Sequence, residues 1–543
     1  MVFDLAKFTY DSKNSNRFIS GMNDQSSIQS RFLTQDIYLD DNDVLLASPK
    51  FDITQHFNQV TNLLSGYDAL RQVYHAKMRV YKGDHEAIKR MQLGNSLVKQ
   101  DSKVMANLGK NIVNTFVGTF ASIPVKITYM NPDDNKSNSD NLNKEIQQIL
   151  STSNSSDVFF EWAKKADIYG RGYSVAYVKQ DKDKTTHTKF SQMSPENCLV
   201  VYDNTLDHNK LFAITFQLID GMYYGHLYTD ANIYKFSSSV SGMSTDNSTR
   251  FSQSSGQDND NGLADTNWQG ETNPFGIVPV SELPENEERS GLLDDIAPLM
   301  DQLDETFTAQ HSDVMYFSNA LLIVKGKHLS DEDKRTIRKW HVAELNADNK
   351  EDLPNISMEY LDKPQNDQQQ EHHIQHLKTE IYETSQVINL SDPQLGNSAS
   401  GDALDKKLQP MVMLAGSKGR KMEAAIKDLL RILFTQSQLI KNENIENVIS
   451  HVQVKFTVNI PHNLLDITNA MKNLHDDVSQ KLYLSMYPFL DNIQDELDEE
   501  AKEKQQNVIQ FANTHPDNND SNNDDSQTNG DEGQPSPKTG SDE

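Results

Sequence analysis

A single cysteine, Cys198, stands in 543 residues, which excludes an intrachain disulfide framework and a cysteine-built zinc site and fits a reducing compartment. Long hydrophobic runs are missing as well. The longest purely aliphatic stretch, Ala320 to Val324, falls far short of the roughly 20 apolar residues that a bilayer span needs, so membrane insertion is not expected. The amino terminus, MVFDLAKFTY, lacks a basic flank and carries Asp4 within its apolar segment, unlike a secretory signal or transit peptide. Positive charge is scarce: 51 Lys plus Arg stand against 79 Asp plus Glu, a net of −28. So acidic a surface repels phosphates, which argues against tight nonspecific nucleic-acid binding and leaves DNA as a passing client. Apolar residues make up 36% and the mean hydropathy is −0.68. The chain is thus expected to be an extended subunit with much solvated helix, loop and intersubunit surface rather than one thick core.

Motifs for chemistry are also lacking. No Gly-rich phosphate cradle ends in Lys-Ser or Lys-Thr; Gly170-Arg-Gly172 and Gly416-Ser-Lys-Gly419 have the wrong spacing and read as turn or cap glycines. The stretch Gly396-Asn-Ser398-Ala-Ser400-Gly401 misses the serine-nucleophile elbow by one place. His372 and His376, four apart on an expected helix with His373 between them, could reach one metal ion, but Glu371 is misplaced for HExxH and a third ligand is absent. A solvated helix face is the better reading. A metal-dependent hydrolase using that pair and a nonviral structural or adaptor protein stand as rival functions; no catalytic residue, metal site or cofactor is assigned. The basic residues Lys406 and Lys407, and Lys418, Arg420 and Lys421, read as ordinary helix solvation, with contact to a passing polyanion as the sharper alternative.

What is present is a long alternation of helix and strand patterns. Residues 1 to 60 show no sustained period and read as a loosely built arm. Val60, Leu63, Leu64, Tyr67, Leu70, Val73 and Tyr74 predict a helix over 57–81, ended by Gly83. A second helix is expected over 103–120 and a strand over 125–129, with 131–156 as a polar surface excursion. A helix ending at Gly170 leads into a strand-rich region: 173–179, 199–202, 211–219 and 223–228, with an Asp220-Gly221 turn. Residues 237–273 are a polar insertion too long for an ordinary connection. Leu292, Ile296, Leu299, Leu303 and Phe307 predict a long helix over 290–318. Strands at 320–324 and 356–361 flank a short helix at 331–345. A helix over 368–387, a polar loop at 389–400, and a helix over 402–441 kinked at Pro410 follow. Residues 452–459 alternate as a strand, helices are expected at 463–475 and 477–508, and the acidic tail from 512 reads as disordered.

The order of these segments resembles the portal proteins of tailed bacteriophages, especially those of phages infecting Gram-positive bacteria. The resemblance is distributed: Tyr81-Lys-Gly83-Asp-His85; Asn107, Ile112, Val113 and Phe120-Ala-Ser-Ile-Pro124-Val125; Asp167-Ile-Tyr169-Gly170-Arg-Gly-Tyr173-Ser-Val-Ala-Tyr177-Val178. It continues with Ser194-Pro195-Glu196, Val201-Tyr202-Asp203 and Asn273-Pro-Phe275-Gly276-Ile-Val-Pro279, then Ser290-Gly-Leu with Leu299 and Asp301. The last pieces are Asn397-Ser-Ala-Ser400-Gly401-Asp-Ala403-Leu404 and the strand Val454 to Asn459 running into Ile460-Pro461.

The resemblance implies an α+β subunit of an elongated kind that assembles into a ring, usually of twelve, at one capsid vertex. It also implies an anatomy: an N-terminal arm (1–60), a wing (61–278, with the insertion 237–273), a stem helix (279–318), a clip (319–365) and a second stem helix (366–388). A channel loop (389–400), a long helix and wing strand (401–462), a helical crown (463–511) and a disordered acidic tail (512–543) complete it. By the same resemblance Leu390, Asp392, Pro393, Gln394, Leu395, Asn397 and Ser398 lie on the DNA channel loop and Lys406 and Lys407 behind it. Lys325, Lys327, Arg335, Lys339 and Trp340 mark the docking surface of the clip. The implied partners are double-stranded phage DNA in transit, the terminase large subunit, scaffolding and major capsid proteins, and head-completion or adaptor proteins. The implied location is the virion, with host cytoplasm during assembly.

Overall fold

The computed structural model describes residues 36–85, 103–131, 136–180, 184–219, 222–239, 270–317, 322–325, 357–360, 367–391, 401–437 and 444–459, with a few isolated positions besides. The chain divides into two units, Met1–Ile460 and Pro461–Glu543. Only isolated positions of the second are described, so the helices expected at 463–475 and 477–508, and the acidic tail, lie outside the described residues.

Residues 37–47, expected to belong to a loosely built arm, instead form β1 (Ile37–Leu39) and β2 (Leu45–Ala47). Both are largely buried, and β2 pairs in parallel with β6 (Cys198–Asp203) through Leu45↔Val201. Three-residue strands are too short for a period to show in sequence; the core they meet decides them. Helix α1 (Phe57–Tyr81) has the expected bounds. Its stripe of Val60, Leu63, Leu64, Tyr67, Leu70 and Tyr74 is buried, and Gly83, at φ +75°, turns the chain away from it.

Helix α2 (Leu108–Ala121) begins five residues later than expected, because the Asn107 side chain accepts a hydrogen bond from the Lys110 N–H and caps it there. Strand β3 (Lys126–Tyr129) follows. The segment expected as a polar excursion holds α3 (Lys136–Thr152), whose Leu142, Ile146 and Leu150 form a one-sided buried stripe. Three apolar residues at i, i+4 and i+8 in a polar helix were enough, with tertiary burial supplying the rest. Helix α4 (Ser155–Tyr169) ends at Gly170, φ +88°.

Two sheets occupy the middle of the chain. The larger runs β1-β2-β6-β7-β8-β9-β10, with β7 (Lys210–Ile219), β8 (Met222–Tyr228), β9 (Asn232–Ser239) and β10 (Gly270–Thr272). The smaller runs β11-β4-β5, with β4 (Arg171–Gln180), β5 (Thr186–Met193) and β11 (Val280–Pro284). β5 and β9 escaped the sequence reading because Thr, Ser, Lys and His dominate them. The Asp220-Gly221 turn lies outside the described residues. β9 and β10 pair antiparallel, so the polar insertion is the connection of one hairpin, and residues 240–269 of it lie outside the described residues.

The long helix expected from 290 starts later, as α5 (Ala297–Phe317). Before it, β11 is a sheet strand paired with β4, and residues 291–296 are turns in which Asp294 accepts from the Gly291 N–H and Leu292 donates to Asp167 O. Strands β12 (Leu322–Lys325) and β13 (Ser357–Tyr360) pair antiparallel as a two-stranded sheet; most of the residues between them lie outside the described set. Helix α6 (Asp367–Ser385) packs beside α5. Helix α7 (Gly401–Phe434) contains Pro410 and stops short of the expected 441, and a short α8 (Ile445–Ser450) leads into β14 (Val452–Lys455). The strand expected over 452–459 pairs only along those four residues, with β3; beyond it Phe456 stacks on Phe120 at 5.5 Å and the Asn459 N–H donates to Thr119 O. Among the described residues no helix is long and apolar enough to cross a membrane.

Gly170 is where α4, β4 and the turn before α5 meet. A Cβ there would collide with the backbone carbonyl of Arg289, and φ is positive as well. Gly276 shares the positive φ (+66°) but has open space around it. Gly170→Ala is therefore expected to cost about 3 kcal/mol or more, and Gly276→Ala about 1 kcal/mol, measured as the shift in denaturant midpoint of the purified chain.

Candidate functional site

The segments expected to form stem, clip and channel stand on a scaffold of buried charge. Lys418, on α7, is buried and reaches away from solvent into the seam between α4 and β11. Its Nζ donates to Ala163 O at 3.1 Å, to Glu285 Oε2 at 2.8 Å and, in a very short contact, to Asp167. It also lies over the rings of Phe116 and Phe120, at 5.4 and 5.7 Å. Burial works against the lysine charge, but Asp167 and Glu285 outweigh it and hold its pKa above the ordinary value. Burial drives the Asp167 carboxyl well above its ordinary range; the pull of Lys418 opposes that shift and the charge of Glu285 adds to it. Lys418 is therefore an anchor of α7 and not a contact for a passing polyanion, a correction to the sequence reading of that basic cluster. Arg420 and Lys406 and Lys407 are exposed.

Two further ties hold α7 across β11. Lys210 Nζ bridges Val280 O (2.9 Å) and Asp428 (2.6 Å), and Ser281 Oγ donates to Ala425 O at 2.9 Å. Under the same strand, Glu282 accepts from Arg289 at 2.8 Å and from the Tyr202 hydroxyl at 2.5 Å, with Arg171 at 3.7 Å. Burial disfavours its charge, yet the two guanidiniums outweigh that and hold its pKa down at about 2. Arg171 also donates to Asp43 O and Asn42 O, pinning the β1–β2 turn. Gly170-Arg-Gly172, screened above as a phosphate cradle, is thus a helix cap followed by an inward-facing arginine.

At the start of α5 the pattern repeats. Lys77 of α1, buried, bridges Asp294 Oδ2 (2.7 Å) and Tyr169 O (3.1 Å). His85 sits between Asp301 (2.7 Å) and Asp304 (3.7 Å) of α5, while the backbone of 104–106 is strapped to the same helix through Ala106 N–H to Asp304 and Val104 to Thr308. Burial pulls the His85 pKa down, but the hydrogen bond with Asp301 and the charge of Asp304 outweigh it and leave it raised. Burial pushes the Asp304 carboxyl up to about 6, against the Ala106 hydrogen bond and the His85 charge. Sequence reasoning named His85, Asp167, Asp301 and Lys418 but not their pairing with one another. The one signal was position: Asp167, Lys418 and Asp304 occupy apolar faces of their helices.

The remaining predicted residues divide sharply. Leu390 and Ser391 are exposed at the end of the turn after α6, where Ser391 N–H donates to Asn389 Oδ1 at 3.0 Å; Asp392, Pro393, Gln394, Leu395, Asn397 and Ser398 lie outside the described residues. Lys325 ends β12 and Arg335 is exposed, whereas Lys327, Lys339 and Trp340 lie outside the described residues. His372, His373 and His376 are exposed on α6, with His376 3.8 Å from Glu380. Among the described residues no group of three or more His, Cys, Asp or Glu side chains is placed to hold a metal ion.

A family model described as phage portal protein, SPP1 Gp6-like, matches residues 61–510, most of the chain. The chain belongs to this family. It is a phage portal protein, a component of the virion capsid and head–tail connector with a part in genome packaging, and the family is structural rather than catalytic. A search of the curated proteins finds no match. Within this portal subunit α5 leads into β12 and β13 leads into α6, the two helices touch, and Lys378 lies 5.5 Å over Phe307 between them.

Two outcomes test the charge scaffold. Lys418→Met leaves two carboxylates buried without their cation and is expected to cost about 3 to 5 kcal/mol; adding Asp167→Asn and Glu285→Gln recovers a large part of it, read by chemical denaturation. His85 and Asp304 both have raised pKa values, so the folded form holds their protons more tightly than the unfolded one and their contribution is lost as pH rises through about 6. Melting temperature is expected to fall between pH 5 and pH 7.5, and Asp304→Asn to flatten that slope.

Proposed function

We propose that twelve copies of this portal subunit close a ring at one capsid vertex, through which double-stranded DNA passes inward during packaging and outward at ejection. The family match across residues 61–510 carries the reading. In it, residues 61–278 together with the end of 401–462 make the wing, an assignment supported by the pairing of β14 with β3. The stem is α5 and α6, with its first half starting at Ala297 rather than at 279, since β11 belongs to the sheet. The β12–β13 sheet and the residues between, 319–365, are the clip, with Lys325, Lys327, Arg335, Lys339 and Trp340 on its docking surface. There the terminase large subunit engages during packaging and head-completion or adaptor proteins replace it. Scaffolding and major capsid proteins hold the rim of the ring. Residues 389–400 are the channel loop, with Lys406 and Lys407 behind it, and 463–511 the crown, while 37–47 join the wing through the pairing of β2 with β6. The subunit assembles in host cytoplasm and remains at the portal vertex of the virion.

The physical role is passive. A net charge of −28 per copy gives a wall that repels phosphates, so a duplex slides without being trapped. The channel loop has one charge, Asp392, among small and polar residues, and touches DNA without gripping it. Energy comes from the separate terminase ATPase. The stem helices and loop shift between states on a wing held rigid by buried charge.

Light scattering and negative-stain imaging of the purified chain test the ring: a mass near twelve subunits is expected, and a chain that stays monomeric with scaffolding protein present would sink the reading. Replacing residues 389–400 by a short Gly-Ser linker should leave the ring intact while reducing packaged or retained DNA; normal packaging and retention would remove the channel-loop assignment.

A further inference from the structure

Leu206, in the turn between β6 and β7, is fully exposed. A lone exposed leucine is ordinary on a protein surface, but this one stands on a fixed mount. The Asp203 carboxylate accepts from the Thr205 N–H (3.2 Å) and hydroxyl (2.6 Å) and from the Asn209 N–H (3.1 Å) and side-chain amide (3.0 Å). The Asp203 N–H donates to Asn209 O at 2.8 Å, the His208 N–H to Thr205 O at 3.3 Å, and the Asn204 N–H to Ala47 O, at the end of β2, at 2.9 Å. A side chain displayed on a turn so constrained loses little backbone freedom when it docks.

The opposite end of β7 carries a second apolar feature. β6 runs beside β7 as far as Cys198↔Thr215, and the last link is the Phe216 N–H donating to Asn197 O at 2.9 Å. The β7–β8 ladder continues past it to Ile219↔Met222. On that overhang Gln217, Leu218 and Ile219 are exposed, and strand alternation turns the Leu218 N–H and C=O toward the edge that β6 has left. Leu218 shares a face with Tyr223 opposite it, which is buried and accepts from Arg71 of α1 at 3.1 Å. Ile219 and Tyr224, diagonal neighbours on the other face, are 50% and 47% exposed. From Leu211 to Thr229 the only Asp, Glu, Lys or Arg is Asp220, in a chain that is 24% charged, so this end of the sheet suits an apolar contact.

We propose that Leu206 of one copy packs against Ile219 and Tyr224 of the next, a head-to-tail contact repeated around the ring. Ten residues of β7, at about 3.3 Å each, set knob and patch roughly 30 Å apart at opposite ends of one hydrogen-bonded sheet. That placement selects the occupant. Two different apolar features, one at each end, cover each other between successive copies, as a heterologous interface requires; features at a single end would instead pair two copies face to face. Nucleic acid is the poorer match, because the patch has no cationic side chain and Asp203 and Asp207 flank the knob. One leucine does not make an interface by itself; this contact sets the direction and register in which copies follow one another. The inference rests on the ring reading above and names residues that carry one of its contacts.

The full-length chain tests it with single cysteines, since its own Cys198 is buried. Leu206→Cys copies mixed with Tyr224→Cys copies should form a disulfide-linked dimer under mild oxidation, while neither variant alone links to itself. Leu206→Asp and, separately, Ile219→Asp/Tyr224→Asp alter exposed side chains, so each protomer should keep the wild-type circular dichroism spectrum. Light scattering across a concentration series should show half-assembly shifted upward by about tenfold or more for each. If Leu206→Cys links to itself, or the mixed cysteines stay unlinked while rings form, the head-to-tail contact fails and the ring stands. A wild-type chain that never associates overturns both. Aspartate variants that assemble as wild type does also overturn the contact, and loss of Leu206→Asp from assembled capsids in that case reassigns the knob to a capsid protein.

Discussion

The fold depends on one buried lysine. Lys418 draws together a helix, a strand and a second helix that are more than a hundred residues apart in the chain, by satisfying a main-chain carbonyl and two carboxylates at once. Buried ion clusters of this kind add little net stability, since removing three groups from water offsets most of their attraction. Their strength is in exclusion. Any alternative packing of α7 on β11 that displaced the ammonium would strand Asp167 and Glu285 in an apolar seam, so the helix has one acceptable position and rotation. The Lys77–Asp294 and Arg171–Glu282–Arg289 groups do the same for α1 and for the β1–β2 turn. Directional charge fixes these joints where interchangeable aliphatic contacts do not.

The sheets with α1 to α4 and α7 share a continuous core, to which Ala297, Met300 and Leu303 of α5 and Ile374, Leu377 and Ile381 of α6 also belong. His85 and the 104–106 strap attach to the base of α5, at Asp301, Asp304 and Thr308. His85 and Asp304 both have raised pKa values there, so this attachment weakens as pH rises.

How much was legible in the sequence follows the physics of each element. Helix α1 was readable to the residue because seven apolar side chains recur on one face and Gly83 stops it. α3 was not, since Leu142, Ile146 and Leu150 alone sit among Asn, Ser and Gln, and only tertiary burial makes the segment a helix. β1 and β2 are too short to show a period, and β5 is too rich in Thr, Lys and His to look like a strand. The family was legible from the order of weak motifs, because Gly170, Tyr173 and Pro279 serve the same junction of α4, β4 and β11 while Asn273 ties the turn after β8 to residues 273–277. The buried charges were invisible as a site: nothing in a single sequence says that Lys418 and Asp167, 251 positions apart, are neighbours.

That separation has a kinetic side. A ribosome adding about 5 to 20 residues per second exposes Asp167 roughly 13 to 50 seconds before Lys418 emerges, with 251 residues between them. During that interval α4 carries a carboxylate on its apolar face and cannot bury it at low cost, and β3 likewise waits for β14. The Lys418–Asp167–Glu285 joint and the β3–β14 pair can therefore close only once nearly the whole of the first unit has been synthesised.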